Sequence, residues 1–449
     1  MILSNILLSE YGSLSCAPSP VNRMMAQFAE DFRTSIDINL GVGYVNERTI
    51  PRELILHAMK EVLSQPDRYP VALNYGGSKG SQNLIDSIRR FIVGHGVGGL
   101  TGSVLDDKVI IIGPNGATSL LDGIANVIET GIVLTTDPMY YIYCNYLERA
   151  GFEIVAVPED GDGIRTDLLD EKIRGLGDRR NSVRFFYIIT VNNPSNTVLS
   201  NERREAVVRS ADRLSREIGC TVPVFFDRAY ENLVHDPEVP QLRSGFLYDE
   251  RGLVYEIGTM SKILAPALRI GYMIGRDGPF MQAMIQKTND AGFSAPLIAQ
   301  EIASYLLDHH VADQIRAVNK GYRQKALRVK KRIDSELGDF LAGCSGGQAG
   351  FYYYLTLNTV ETTERSPFFA FLSRITGDAV IDGPSGDRNP RIIYVPGEFC
   401  VHPRGDLVGI GRRQLRLSYG FEEVERIETA VSCMKEAVEY AENLEEGEK

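Results

Sequence analysis

Nowhere in its 449 residues does the sequence carry a run of eighteen apolar residues, the length a membrane-crossing helix needs. The apolar start, Met1 to Leu8, is too short to span and lacks the basic residues that open an export signal. A soluble, cytoplasmic protein with no membrane partner is therefore predicted. A basic surface is missing as well. The formal net charge is -11 and the pI is about 5.3, which argues against nucleic acid as a partner. Cysteine is sparse: six residues (16, 144, 220, 344, 400 and 433) with no Cys-x-x-Cys pair. Reduced, buried thiols are expected, rather than disulfides or zinc. The six histidines form no ligand-spaced set; His309 and His310 are adjacent and would point to different sides of a helix. No metal is predicted.

What is present is enough apolar material, 43% of the chain, for two packed domains, one large and one small. From Val109 to Ile274 apolar strands and amphipathic helices alternate. Strands read at 109–112, 132–135, 153–157, 184–191, 222–226, 253–257 and 270–274. Helices read at roughly 117–129, 140–150, 166–175 and 202–218. The alternation implies an α/β fold with a mainly parallel, seven-stranded sheet and flanking helices. Residues 299–337 read as a helical connector. Strands at 350–357, 392–395 and 414–419 and a helix from Val424 give a smaller α+β domain. The predicted division is 1–48 (an arm and part of the small domain), 49–310 (the large domain) and 311–449 (the C-terminal small domain). The acidic tail, Glu442 to Lys449, reads as a frayed end.

Two glycine-rich stretches carry little. Leu73 to Gly80 lacks the glycine spacing of a P-loop and follows no strand. Gly94-His-Gly-Val-Gly-Gly99 fits G-x-G-x-x-G, but it follows a helix where a dinucleotide site needs a strand, so it reads as a link.

The informative residues stand where strands end, the edge at which open α/β sheets bind ligands. After 109–112 comes Gly113-Pro-Asn-Gly-Ala-Thr118. Free N–H groups at the following helix start, at Gly116 and Ala117, with Thr118 beside them, make a phosphate cradle or a plain helix cap. After 132–135 comes Tyr140, a ring that could stack on a planar ligand or fill the core. After 184–191 comes Asn193, before a proline, either a donor to a ring hydroxyl or a turn residue. After 222–226 comes Asp227, either the partner of a pyridine nitrogen or a cap. After 253–257 come Thr259, Lys262 and Arg269. A desolvated lysine can form a Schiff base with an aldehyde, and an arginine can hold a phosphate with its rigid fork of donors. In the small domain, Gln414-Leu-Arg-Leu-Ser-Tyr419 alternates, so Arg416 could clamp a carboxylate or sit at a solvated edge. Taken together the set describes one cofactor, pyridoxal 5′-phosphate, and one substrate class, amino acids.

These residues are the ones through which the chain resembles the fold-type I pyridoxal-phosphate aminotransferases of class I/II. The resemblance runs from about residue 36 to 420. It rests on Asn39-Leu-Gly-Val-Gly43, Tyr75-Gly, Asn115-Gly-Ala-Thr, Asp137-Pro-x-Tyr140, Asn192-Asn-Pro, Asp227-x-Ala-Tyr230, Ser261-Lys262 through Arg269-x-Gly, and Arg416-Leu-Ser. The block Gly258 to Arg269 looks most like the 2-aminoadipate and kynurenine aminotransferase subgroup, which also includes the aminotransferase-like domains of certain bacterial regulators. The resemblance implies Lys262 as the Schiff-base lysine and proton shuttle, with Tyr140 and Asp227 also in the catalytic set. It implies Tyr230 on the ring hydroxyl beside Asn193, Thr259 and Arg269 on the phosphate, and the Gly43 backbone on the substrate carboxylate. Tyr75 would reach the phosphate of a neighbouring subunit, making a homodimer with shared sites. The arm around Ser13 to Met25 would contribute to the substrate pocket, with Arg23 meeting either a substrate carboxylate or only solvent. Asn-Pro-Ser-Asn stands where Asn-Pro-Thr-Gly is usual, and Arg228 stands where an acidic residue is frequent.

The expected activity is ping-pong transfer of an amino group from an L-amino acid to a 2-oxo acid. A β-lyase, decarboxylase or biosynthetic cyclase would share the same site residues. A ligand-sensing regulator would need a basic DNA-binding domain ahead of this part, and only about forty residues precede Gly41.

Overall fold

The computed structural model describes residues 6–384 and 386–447. Met1 to Asn5 of the apolar start, and Glu448 and Lys449 of the acidic tail, lie outside them. Fourteen strands form among the described residues. They are β1 (Ile38–Asn39), β2 (Lys108–Ile112), β3 (Ile132–Asp137), β4 (Glu153–Asp160), β5 (Gly163–Ile164), β6 (Val183–Ile189), β7 (Val224–Asp227), β8 (Val254–Thr259), β9 (Gly271–Arg276), β10 (Leu341–Gly346), β11 (Tyr352–Leu357), β12 (Ile392–Ile393), β13 (Val395–Pro396) and β14 (Gln414–Ser418).

All seven strands read from the apolar runs of the large domain are present in one sheet, with the two-residue β5 as an eighth, in the order β2-β9-β8-β7-β6-β3-β4-β5. The central strands β8, β7, β6, β3 and β4 run parallel. The runs are unbroken because both faces are covered; every residue of β3 and of β8 is buried. The helix Asn201–Ile218 shows how its neighbours are made. Ser200 caps its start, Val207, Val208, Ala211 and Leu214 form its buried stripe, and Gly219 ends it at φ 68°. Between β8 and β9 the chain reverses, so β9 is antiparallel to both β8 and β2. As a result β2 ends at the same edge as the parallel strands.

The register lines up the strand ends. Ile189 stands opposite Asp227, and Asp227 opposite Ile257. Gly258 and Ile112 both stand opposite Tyr272. The second sheet, β10-β11-β14-β13, is antiparallel throughout, and β1 pairs in parallel with β12. The segment after β1 then crosses to β14, where Ser418 N–H donates to Leu40 O at 2.9 Å. That contact carries Gly41 to Gly43 towards the strand ends of the large sheet.

Several local expectations are corrected. The connector is two helices, Leu297–His309 and Val311–Leu337, broken at His310. His309 and His310 thus do not share one helix. β10 was not expected, because Leu341-Ala-Gly-Cys-Ser-Gly is weakly apolar and only partly buried. The helices Pro279–Gly292 and Pro367–Ser373 were also unforeseen. The tail does not fray at Glu442: the last helix runs Val424–Gly447, with Ala441 1% exposed and Thr359 Oγ1 donating to Glu442 at 2.9 Å. No helix among the described residues is long and apolar enough to cross a membrane.

Candidate active site

The strand ends of the large sheet face Gly41 to Gly43, β11 and β14 across a cavity of about 430 Å³. Its lining includes Thr118, Tyr140, Asn193, Asp227, Tyr230, Thr259, Lys262, Arg269, Arg416 and Gly43. The sheet register explains this convergence, since each of the first eight follows or ends a strand at one edge.

At one end lies an anion cradle. The helix Gly116–Val127 starts here, with its free N–H groups and positive dipole end. Gly116 has φ +67°, and a Cβ there would come within 3.1 Å of the Arg269 guanidinium. Gly271 is required for the same closeness, since its Cβ would meet Ala117 N at 2.1 Å. Arg269 itself takes a left-handed φ of 53°. Its Nε and Nη2 donate to the side chain and backbone oxygens of Asn115 at 2.7 and 3.0 Å. Thr259 Oγ1 donates to Ile270 O at 2.7 Å and accepts from Ser261 N at 3.1 Å.

Mid-cavity, Asp227 is 5% exposed. Its carboxylate accepts from Tyr187 Oη at 2.8 Å and from Ala229 N at 3.0 Å. The second bond is a turn of the Asx type, so Asp227 shapes the backbone as well as presenting an anion. Burial raises its pKa, while Tyr187, the Ala229 amide and Lys262 oppose the rise. Lys262 Nζ donates to Gly43 O at 2.9 Å. Burial, then the charges of Arg416 and Arg269, lower its pKa to about 8 against the pull of Asp227.

At the far end, Arg416 is 2% exposed. Nη1 donates to Asn193 Oδ1 at 2.7 Å, and Nη2 donates to Gly41 O. Its Nε is buried with no hydrogen-bond partner among the described residues. Among the described residues no carboxylate pairs with it. Arg228, by contrast, joins a buried network with Glu231 and Glu256, which Arg204 completes at 2.6 Å from Glu231. The basic residue after Asp227 therefore points into the core's ion pairs.

Three expected residues are not part of the cavity lining of this chain: Gly116, which lies beside the Arg269 guanidinium, Arg23 and Tyr75. Arg23 is half-exposed and paired to Glu364 at 2.6 Å, while its neighbours Val21, Asn22 and Met25 line the cavity. Tyr75 is 80% exposed and packs on the Phe293 ring at 5.6 Å. Sequence reasoning passed over Tyr352 and Tyr187, and it named Asn115 within a motif without giving it a role. Tyr352 had a signal: it stands opposite Ser418, and Tyr354 opposite Arg416, so alternation alone puts it on the arginine's face. Tyr187 likewise precedes Ile189, the neighbour of Asp227, by two residues.

The donor set fits pyridoxal 5′-phosphate. The helix-start cradle with Arg269 matches a phosphate, the buried Asp227 a pyridinium, Lys262 an aldehyde, and the unpaired Arg416 Nε leaves a donor for a carboxylate. The profile of the family described as aminotransferase class I and II matches residues 35–368. Aromatic-amino-acid aminotransferase 1 of Thermococcus litoralis is 25% identical over 411 residues, 90% of this chain and 88% of that one. The HTH-type transcriptional regulator YisV of Bacillus subtilis is 22% identical over 401 residues, 89% of this chain and 73% of the regulator. In structure, a multiple substrate aminotransferase from Thermococcus profundus matches with a TM-score of 0.80 at 22% identity, over 97% of this chain and 98% of that one. A kynurenine aminotransferase of Pyrococcus horikoshii matches at 0.78 and 22% identity, over 95% and 96%.

Proposed function

The chain belongs to the class I and II aminotransferases, enzymes that transfer nitrogenous groups with pyridoxal 5′-phosphate, and from that premise we propose that it moves the amino group of an L-amino acid to a 2-oxo acid in ping-pong order, with Lys262 as the amine that links the cofactor. The observation that carries this reading is one cavity holding Lys262, Asp227 and Arg416 with the helix start at Gly116.

The amides of Gly116 and Ala117, with Thr118, Thr259 and Arg269, would hold the phosphate. Asn193 and Tyr230 would donate to the ring hydroxyl, with Tyr140 offering its ring to the cofactor's. Asp227, fixed by Tyr187 and Ala229, would keep a proton on the ring nitrogen. Bound pyridoxal 5′-phosphate supplies the electron sink for the bond broken at Cα. Arg416 binds the α-carboxylate with its fork, helped by Asn193 and the Gly43 backbone. Lys262 Nζ takes the proton from Cα. With a pKa of about 8 the free amine is roughly a tenth of the population at pH 7, enough for a base. Arg23 stays with Glu364 and has no role in this reading.

A homodimer with shared sites is part of the proposal. Leu56, Met59 and Leu63 form an exposed stripe on the helix Arg52–Ser64, and Leu73, Tyr75 and Phe293 are exposed nearby. Such a patch fits burial against a second copy. Free thiols, two of them exposed, support a reducing cytoplasmic location, which fractionation of cells tests.

The test is a spectral screen of the loaded enzyme against the amino acids. Reactive donors should deplete the cofactor's visible band and yield the 2-oxo acid, and a second oxo acid should restore it. Borohydride should attach the cofactor to a peptide containing Lys262. Release of carbon dioxide or a β-leaving group in place of amino transfer would move the assignment to another reaction of the same cofactor. Binding without turnover would move it to ligand sensing.

A further inference from the structure

One cavity residue without a role so far is Tyr352. It lines the cavity yet its side chain is fully buried. Three features of the site meet on it. Its hydroxyl lies 2.9 Å from the Tyr230 hydroxyl. The Arg416 guanidinium sits over its ring, 4.4 Å from the centroid. The Gly43 backbone passes so close that a Cβ there would fall 2.6 Å from Tyr352 Oη. A ring alone would fill the space, as the adjacent Phe351 does, packed at 5.4 Å from Tyr230. A buried hydroxyl needs a partner, and the one it has is Tyr230.

We infer that Tyr352 is a positioning residue for the reaction: its hydroxyl orients and polarises Tyr230, and its ring holds the Arg416 fork flat for the substrate carboxylate. The inference rests on the cofactor site proposed above. The direction of the bond follows from proton counting. A tyrosine hydroxyl has one hydrogen. If Tyr230 donates it to the ring hydroxyl of the cofactor, the bond between the tyrosines must be donated by Tyr352. Accepting that bond makes Tyr230 a stronger donor. A stronger donor stabilises negative charge on the ring oxygen. Remove the Tyr352 hydroxyl and that charge is held less well, so the bound chromophore keeps its proton to higher pH. The two parts of the role separate cleanly: phenylalanine deletes the hydroxyl and keeps the ring, while leucine deletes both.

The experiment is a pH titration of the visible band of the loaded enzyme, for wild type, Tyr352→Phe, Tyr230→Phe and the double variant. Tyr352→Phe should raise the midpoint by about half to one pH unit, the size of one hydrogen bond. In the Tyr230→Phe background it should add nothing, since the effect passes through Tyr230. KM for the amino acid should stay near wild type in Tyr352→Phe and rise about three- to tenfold in Tyr352→Leu, which loses the surface under Arg416. An unmoved midpoint in Tyr352→Phe, or an equal shift with and without Tyr230, overturns the inference while the cofactor site stands. A wild type with no cofactor band overturns both.

Discussion

Replacing Arg416 by lysine is the sharpest test of how substrate is recognised. The side chain is 2% exposed and its guanidinium spans two acceptors, Asn193 Oδ1 at 2.7 Å and Gly41 O, with Nε left over. Lysine keeps the positive charge, so the buried site is not left neutral and the fold should survive. It loses the planar fork, and with it one charge-assisted bond to a bound carboxylate. Such a bond contributes about 1.5–3 kcal/mol. At about 1.4 kcal/mol per decade, kcat/KM for an amino acid should fall roughly tenfold to a hundredfold. The matching amine has no carboxylate to lose, so its rate should change less than about threefold. The assay is stopped-flow loss of the cofactor band with an amino acid and with its amine, in both proteins. Equal falls for the two ligands would refute the carboxylate role and leave Arg416 as a structural residue.

Asp227→Asn keeps the size of the side chain but removes its charge; kcat should drop about two to three decades with KM nearly unchanged, and a near-normal kcat would reduce Asp227 to a turn former. Glu159 is raised to about 7 from an ordinary value of 4.5 by burial, against hydrogen bonds from Ser195, Thr197 and Asn192. Its protonated form is favoured by folding, so its contribution is complete below pH 4.5 and lost as pH rises through 7; the melting temperature of Glu159→Gln should gain on wild type across that window, and a constant difference would refute the assignment. For the dimer, Lys262→Ala and Tyr75→Asp, each inactive and dimeric alone, should regain about a quarter of wild-type activity when refolded together, because one site in four is then free of both lesions. No recovery would confine Tyr75 to its own subunit.

The large sheet was legible because its strands are buried on both faces and read as unbroken apolar runs. The ligand edge followed from strand direction alone, which is why Asn193, Asp227, Thr259 and Lys262 could be grouped from the sequence. Their neighbours could not. Tyr187 binds Asp227 from an adjacent strand, legible only once the strands are paired in register, and Asn115 orients Arg269 from 154 residues away, which no local pattern shows. Arg23 failed to line the cavity for a rotational reason. On the helix Pro20–Glu30, Val21 and Met25 are one turn apart and share the inner face, which leaves Arg23 to reach Glu364 instead. β10 was missed because its residues carry neither strong propensity nor alternation.

The buried charges separate the site from the scaffold. Arg204, Arg228, Glu231 and Glu256 are buried but neutralise one another, and Arg391 is paired with Asp37 at 2.9 Å. The arginines keep Glu231 down at about 2 although burial alone would raise it. Pairing of that kind is what burial demands of a charge that serves only the fold. Arg416 and Asp227 break the pattern. One is a buried cation held by neutral oxygens, the other a buried anion held by a phenol and an amide. Each is desolvated at folding, and among the described residues neither is in a salt bridge, although the Lys262 charge reaches Asp227. A ligand that brings a carboxylate to the first and a protonated ring to the second supplies an opposite charge to each. The demand is chemical rather than ancestral, so it constrains this chain whatever its amino-acid donor. A substrate without the carboxylate leaves Arg416 uncompensated, and a cofactor whose ring nitrogen cannot be protonated leaves Asp227 so.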